Sequence, residues 1–380
     1  MTPLLLLFAL AFLVSVDVRV LAPVLPSISA SLGTTPGAAG LAMTSYALAY
    51  GAGQLGYGPL SDRYGRVAVV RAAGLGWVLF TALGALAPTT VAFVAIRFLA
   101  GACAGAVIPT TLVYIGDTYA YGERQAAIAR FSVVTSAGLA FSAAAGGVVA
   151  HLISWRLMLL AYAVIGVVPT LLMFRLPPAR PVPTADAHAS GARFVDFLRD
   201  PRARVVYLAI FAEGFLLWGG VTYLGAFASQ RLGLDQMVVG LLLALFGVGT
   251  MVGGLSMAPI RRRLSESQLA WLGGALMAAA FLALIPETGG AVFAASMLVL
   301  GLGFVGLHTT LQVRGTDISA TARGKAFSLF AFFLFTGLSA GSAVLGRLVD
   351  RGADRTMLAF VGVGLAVVGA GTAAVGRRRA

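Results

Sequence analysis

The chain has 380 residues, 59% of them hydrophobic and only 11% charged, with a formal net charge of +13. Soluble domains carry about 25% charged residues, so a water-solvated surface is excluded and lipid must cover most of this one. Spanning segments in hydrocarbon must satisfy their own backbone groups, which leaves helices or closed barrels, and the apolar runs here do not alternate, so helices are selected.

The first apolar run begins at Leu4 with no basic segment ahead of it. It continues through Asp17 and Arg19 into Pro23 and Pro26, and so reads as a first membrane helix over residues 3–28 rather than a cleaved leader. Further spans follow near 39–60, 67–87, 90–116, 127–152 and 156–176. The polar stretch 177–203, with Pro177, Pro178, Pro181 and Pro183, reads as a linker with a short surface helix at 193–199. A second set of spans lies near 204–229, 236–260, 268–286, 289–314, 324–348 and 355–376. The predicted architecture is an all-α polytopic membrane protein of twelve transmembrane helices. They form two pseudo-symmetric six-helix bundles, residues 1–176 and 204–380. Cys103, the single cysteine, excludes an intramolecular disulfide and reads as a small packing residue between Gly101 and Gly105. Trp155 and Trp271 lie at span ends and read as interface anchors.

The basic residues divide unevenly between the two sides. With both termini inside, the inside loops hold, among others, Arg63, Arg66, Arg124, Arg130, Arg261, Arg262, Arg263 and Lys325. The outside loops hold only Arg156, Arg231, Arg347, Arg351 and Arg355. This asymmetry predicts cytoplasmic termini and an even helix count. The positive charge is therefore a topology signal that needs no nucleic acid, although weak contact with anionic lipid fits it.

The two halves echo each other. Asp117 and Arg124 recur as Asp317 and Arg323, and Gly138 and Gly147 recur as Gly337 and Gly346, at near-constant offsets of 199 or 200 residues. Gly58 recurs near Gly254, 196 residues on. A shared offset across several features indicates a duplicated six-helix unit.

The loop after the second span reads Gly58-Pro-Leu-Ser-Asp62-Arg63-Tyr-Gly65-Arg66. It resembles the Gly-x-x-x-Asp-Arg-x-Gly-Arg signature of the major facilitator superfamily, at the junction where that family carries it. Gly58 would allow close helix approach, and Gly65 a sharp turn with positive φ. Asp62 is an anion that can meet the positive N-terminus of a neighbouring helix, which the resemblance implies is the eleventh, in the other half. Arg66 can pair with Asp117. Together these contacts would latch the halves on the inside and release them as they rock. The matching loop near Gly254 to Arg263 keeps the bases and lacks the acid, so the latch is expected to be asymmetric.

Two further stretches resemble a subclass. Arg97-Phe-Leu-Ala-Gly101 is similar to the Arg-x-x-x-Gly pattern of proton-coupled members. The run Gly138-Leu-Ala-Phe-Ser142-Ala143-Ala-Ala-Gly146-Gly147 is similar to the drug:proton antiporter pattern, but Ser142 and Ala143 replace its Gly-Pro kink. The flanking glycines still predict close packing.

Ionisable side chains at mid-membrane cost about 2.5–3.5 kcal/mol on insertion scales, so the few that occur carry information. Asp17, Arg97 and Glu213 are the proton-coupling candidates. Asp17 and Arg19 are two residues apart and point to different faces, so Asp17 is expected to face Arg97 instead. A permanent structural salt bridge is the alternative reading of that pair. Burial disfavours a charged carboxylate and a nearby cation favours it, and such a balance can bind and release a proton. Arg19, Tyr46, Gln54, Trp218, Tyr223, His308 and Gln312 are candidate cavity liners, and His308 is equally read as a packed, hydrogen-bonded residue.

The leading functional expectation is proton-coupled export of small amphipathic molecules by a monomer in the bacterial inner membrane, its partners being the substrate, protons and lipid. An uptake symporter for a polar metabolite is second, and a membrane-embedded enzyme or non-transporting scaffold is remote. Three histidines and one cysteine supply no metal or nucleophile cluster, so neither metal nor cofactor is expected. No phosphate-binding Gly-x-x-x-x-Gly-Lys-Ser/Thr loop occurs.

Overall fold

A computed structural model of the protein describes residues 3–119, 121–176, 193–287, 289–319 and 322–377. These residues form helices joined by short turns. The first half contains α1 Pro3–Leu32, α2 Pro36–Tyr64, α3 Arg66–Ala85, α4 Thr90–Thr118, α5 Tyr121–Leu152 and α6 Trp155–Arg175. The second contains α7 Pro201–Arg231, α8 Gln236–Arg261, α9 Glu266–Leu282, α10 Gly290–Thr316, α11 Arg323–Asp350 and α12 Asp354–Arg377. The short helix Phe194–Arg199 precedes α7. Of the expected linker, residues 177–192 lie outside the described residues.

The helix starts follow from local chemistry. Thr35, Thr89, Ser154, Asp235 and Ser265 each cap the following helix with a side-chain oxygen, which satisfies a backbone N–H that has no intrahelical partner. Among the described residues, ten helices are long and apolar enough to cross a membrane by themselves. The other two are α2, diluted by glycine, tyrosine and hydroxyl residues, and α9, which is only 17 residues long. Both are held by packing: α2 runs against α4 and α11, and α9 against α10 and α12.

The duplication is visible as repeated backbone contacts. Gly101 on α4 lies against the Tyr46 carbonyl of α2, and Gly301 on α10 lies against the Phe246 carbonyl of α8. Gly138 on α5 meets the Phe12 carbonyl of α1, and Gly337 on α11 meets that of Phe211 on α7. Both members of each pair move by the same 199 or 200 residues, so the six-helix unit is repeated as a fold and not only as a sequence pattern. Gly105 and Gly146 make similar approaches to Tyr50 and Val20.

The halves meet along α2–α11, α5–α8 and α1–α7. Gly147 packs on Gly240, and Gly37 on Gly346. Ser27 Oγ donates to Gln236 Oε1 at 2.7 Å, His151 lies 3.3 Å from Asp235, and Asp350 accepts from Thr35 Oγ1 at 2.8 Å and Gly37 N at 2.7 Å. These contacts sit at the end of the bundle away from Asp62. At the Asp62 end, Gly58, Gly254 and Gly324 face open space.

Several expectations change. The first span is not one continuous helix. It stops at Asp17, passes through a turn and the 3-10 segment Ala22–Val24, and resumes at Leu25–Leu32. Pro23 and Pro26 lack the N–H groups that would continue the ladder. Trp155 is buried rather than anchored at an interface, because its Nε1 donates to Ser31 Oγ at 2.9 Å. Trp271 is exposed. Close approach at Gly58 is absent, since no atom lies within 4 Å of where a side chain would start.

Candidate functional site

The break in α1 puts Asp17 at a helix terminus in the middle of the first half. Its carboxylate is buried, and both oxygens accept from Arg97 Nη1 of α4, at 2.9 and 3.1 Å. Trp77 of α3 donates its indole N–H to the same carboxylate at 2.8 Å. The Arg97 guanidinium also lies over the Tyr46 ring, 4.2 Å from its centroid, a cation–π contact. Spare capacity remains: Arg97 Nε and the Tyr46 hydroxyl are buried without a partner. Ser142, which replaces a glycine of the antiporter pattern, donates to the Val16 carbonyl at 2.5 Å. It fastens the last turn before the break to α5, and α5 itself continues as a helix through Ser142 and Ala143.

The second half holds a parallel arrangement. Glu213 of α7 is buried and lies 3.1 Å from His308 Nδ1 of α10. Its other oxygen, Oε1, has no partner. Glu213 closes the helical segment Pro201–Glu213 and is followed by the π-helical turn Gly214–Trp218, a local widening common at functional sites. Gly214 permits it, sitting against the Leu334 carbonyl. Each half therefore carries a buried carboxylate on its first helix, paired to a base on its fourth.

Arg19 lies in the broken segment of α1 and crosses to the other half. Its guanidinium carbon stands 3.0 Å from the centroid of the Trp218 ring. Trp218 in turn packs edge-on against Phe246 and Phe304, with centroids 5.3 and 5.1 Å away. Phe304 stacks on the His308 ring at 4.5 Å.

At the loop after α2, Gly65 adopts φ +89° and ends α2, as its position between two helices requires. Arg66 is buried and binds Asp117 at 2.9 Å, Ser61 Oγ at 2.6 Å and Asp62 one turn back. Arg63 is exposed over Tyr64. Asp62 thus has its partner in its own half. Arg314 of α10 is buried and binds Glu266 of α9 at 2.6 Å and the Thr372 carbonyl at 2.7 Å. Glu266 is 200 residues after Arg66, so the second half ties the same two helices with the charges reversed.

Among the remaining candidate liners, Tyr223 is corrected: it is fully buried, its hydroxyl donates to the Ser342 carbonyl at 2.7 Å, and its ring fills the gap between Gly40 and Gly346. Gln54 is half-buried and Gln312 exposed. Sequence reasoning missed Trp77, Ser142 and the joining of Glu213 to His308. Trp77 did carry a signal, because a buried indole N–H needs an acceptor and its span offers few.

Among the described residues, twelve long helices in two duplicated bundles, with a buried carboxylate in each, have the architecture of a membrane transporter. The chain belongs to the Major Facilitator Superfamily, whose family model matches residues 7–342. It is 24% identical over 354 residues to the uncharacterized MFS-type transporter YceJ of Bacillus subtilis, covering 90% of this chain and 88% of that one. It is 29% identical over 366 residues to the puromycin resistance protein pur8 of Streptomyces alboniger, covering 93% of this chain and 63% of that one. The fold superposes on the crystal structure of the nucleoside transporter NupG with a TM-score of 0.80, at 14% identity over 99% of this chain and 100% of that one. The family and fold are those of multi-pass membrane transporters rather than enzymes.

Proposed function

We propose that this transporter is a monomeric proton-coupled exporter of small amphipathic molecules in the bacterial inner membrane, with both termini cytoplasmic. The observation that carries the reading is the buried Asp17–Arg97 pair at the break in α1. A proton on Asp17 would remove the charge that holds Arg97, leaving the guanidinium to the Tyr46 ring and to its unpartnered hydroxyl. The segment after Asp17 carries the α1 contact to α7, where Gly225 meets the Ala22 carbonyl. Protonation would thus loosen the joint between the halves. Glu213 and His308 offer a second proton site on the matching helices. The likeness to a puromycin resistance protein supports export.

In this reading the bundles 1–176 and 204–380 rock about a central site, and the end bearing Asp62 is cytoplasmic. The structure then corresponds to an inward-open state, sealed outside by the Asp350, Ser27 and His151 contacts. In the opposite state Asp62 would exchange its Arg66 contact for the N-terminus of α11, closing the inside.

Inside-out vesicles with a pH-sensitive dye and a panel of amphipathic compounds test this. Export should dissipate the proton gradient, and Asp17→Asn should abolish gradient-driven flux while leaving substrate exchange intact. Flux independent of the gradient, or unchanged in Asp17→Asn, would refute the coupling. Net uptake driven by the gradient would favour a symporter instead.

A further inference from the structure

Both buried carboxylates on the first helices are already matched by bases, Asp17 by Arg97 and Glu213 by His308. The charge left over is Arg19. Among the described residues no carboxylate lies within ion-pair distance of its guanidinium and no side-chain hydrogen bond reaches it; its Nε is buried without a partner. One face of the guanidinium is covered by Trp218, and stacking leaves the in-plane N–H groups undirected. Beyond Trp218 the aromatic cluster continues through the buried Phe246 to Phe304 and the His308 ring, both half-buried.

We propose that Arg19 with the Trp218 cluster is an anion-recognition subsite, and that the transported molecule carries an aromatic or other planar apolar body with a carboxylate or similar oxyanion. This rests on the reading that small molecules cross at the seam between the halves. The geometry supplies the two halves of such a ligand's recognition. The planar fork of Arg19 matches a carboxylate in two parallel N–H···O bonds. The aromatic wall matches a flat apolar body by offset or edge-on stacking. A cationic amphiphile would find Asp17 held by Arg97, one Glu213 oxygen already against His308, and an unpaired cation facing it. Because Arg19 belongs to the first half and Trp218 to the second, a bound anion would also bear on the joint, two residues from Asp17.

The test uses full-length protein in lipid nanodiscs and three matched probes: 2-naphthoate, 2-naphthamide and 2-naphthylmethylammonium. Equilibrium binding is followed by calorimetry with no gradient present, so failure of the proton-coupling or direction readings leaves this result unaffected. We expect naphthoate to bind at least about tenfold more tightly than the amide, with the ammonium weakest. Arg19→Gln should bring naphthoate and naphthamide within about threefold of each other, and Arg19→Lys should keep part of the preference, because the charge remains without the fork. A wild-type protein with no preference for naphthoate, including no measurable binding of it, would overturn the proposal. So would a folded Arg19→Gln protein that retains the preference. Should Arg19→Gln not fold, the comparison of the three probes on the wild-type protein decides alone.

Discussion

Replacing Asp17 by Asn keeps the size of the side chain and removes its charge. At 2.9 Å and an effective dielectric of about 20, the lost attraction to Arg97 is about 5–6 kcal/mol. The amide oxygen still accepts one hydrogen bond from Arg97, worth about 1.5–3 kcal/mol to a charged group. The net cost is therefore about 3 kcal/mol, at the low end of the range for breaking a buried pair. Replacing Arg97 by Gln should cost a similar amount, because it leaves a buried carboxylate with only the Trp77 N–H. The double variant leaves no unpaired charge at this site, so the two losses should not add. A double-mutant cycle on unfolding in mixed micelles should return a coupling of about 3 kcal/mol, or about a hundredfold in the unfolding equilibrium. Additive losses would show that the two side chains do not depend on each other, and would remove the basis for proton-controlled release of Arg97.

Two further perturbations address packing and polarity. Gly301→Leu would drive a side chain into the Phe246 carbonyl and Gly101→Leu into that of Tyr46; each should lower stability by about 1–3 kcal/mol, and equal melting shifts in the two variants would reflect the equivalent contacts. Arg314→Gln strips Glu266 and the Thr372 carbonyl of their donor, and should cost about 2–3 kcal/mol, whereas Glu266→Gln, whose partner keeps the carbonyl, should cost less; a thermal-shift ranking in the other order would count against the Thr372 bond as the anchor.

The parts of the fold that were legible in the sequence are those set by backbone demands. Apolar length marked the spans, and the 199-residue echo of Gly138 and Gly147 marked the repeat. The glycines were legible because close helix approach admits no side chain, so both copies of a contact require the same residue. Charged pairs obey a weaker rule. A tie between two helices needs opposite signs but not a given order, and the second half carries Glu266 and Arg314 where the first carries Arg66 and Asp117. Comparing loops for a missing acid therefore pointed to an asymmetric latch and overlooked a reversed pair. Asp17 and Arg97 were legible because bare charges are rare in hydrocarbon. The partners were less so: the Trp77 indole N–H signals only that some acceptor is needed, Ser142 is at home in an apolar helix, and His308 is conspicuous in the sequence without showing that Glu213 is its partner. The π-turn after Glu213 leaves no compositional mark beyond Gly214.

The seal at the end away from Asp62 rests on one carboxylate more than on any other single group. Asp350, at the last residue of α11, accepts the Gly37 N–H at 2.7 Å and the Thr35 hydroxyl at 2.8 Å, both at the start of α2 in the other half. It thus acts as an N-terminal cap supplied by a different bundle. A capping side chain is worth about 1 kcal/mol, and an anion at a helix N-terminus adds about 0.3–1 kcal/mol. Asp350→Ala should therefore weaken the seal by about 1–2 kcal/mol, shifting the ratio of open to closed at that end by about 5- to 30-fold. The neighbouring Ser27–Gln236 bond and the Gly147–Gly240 contact would remain to hold the closed form, so the shift should be partial. Spin labels at Leu152→Cys and Arg351→Cys, in a Cys103→Ala background, report the separation of the halves there. The variant should show a new long-distance population that the parent lacks. An unchanged distance distribution would mean that the seal is carried by the apolar contacts of α5–α8 and α1–α7, and that Asp350 merely tidies the end of α11.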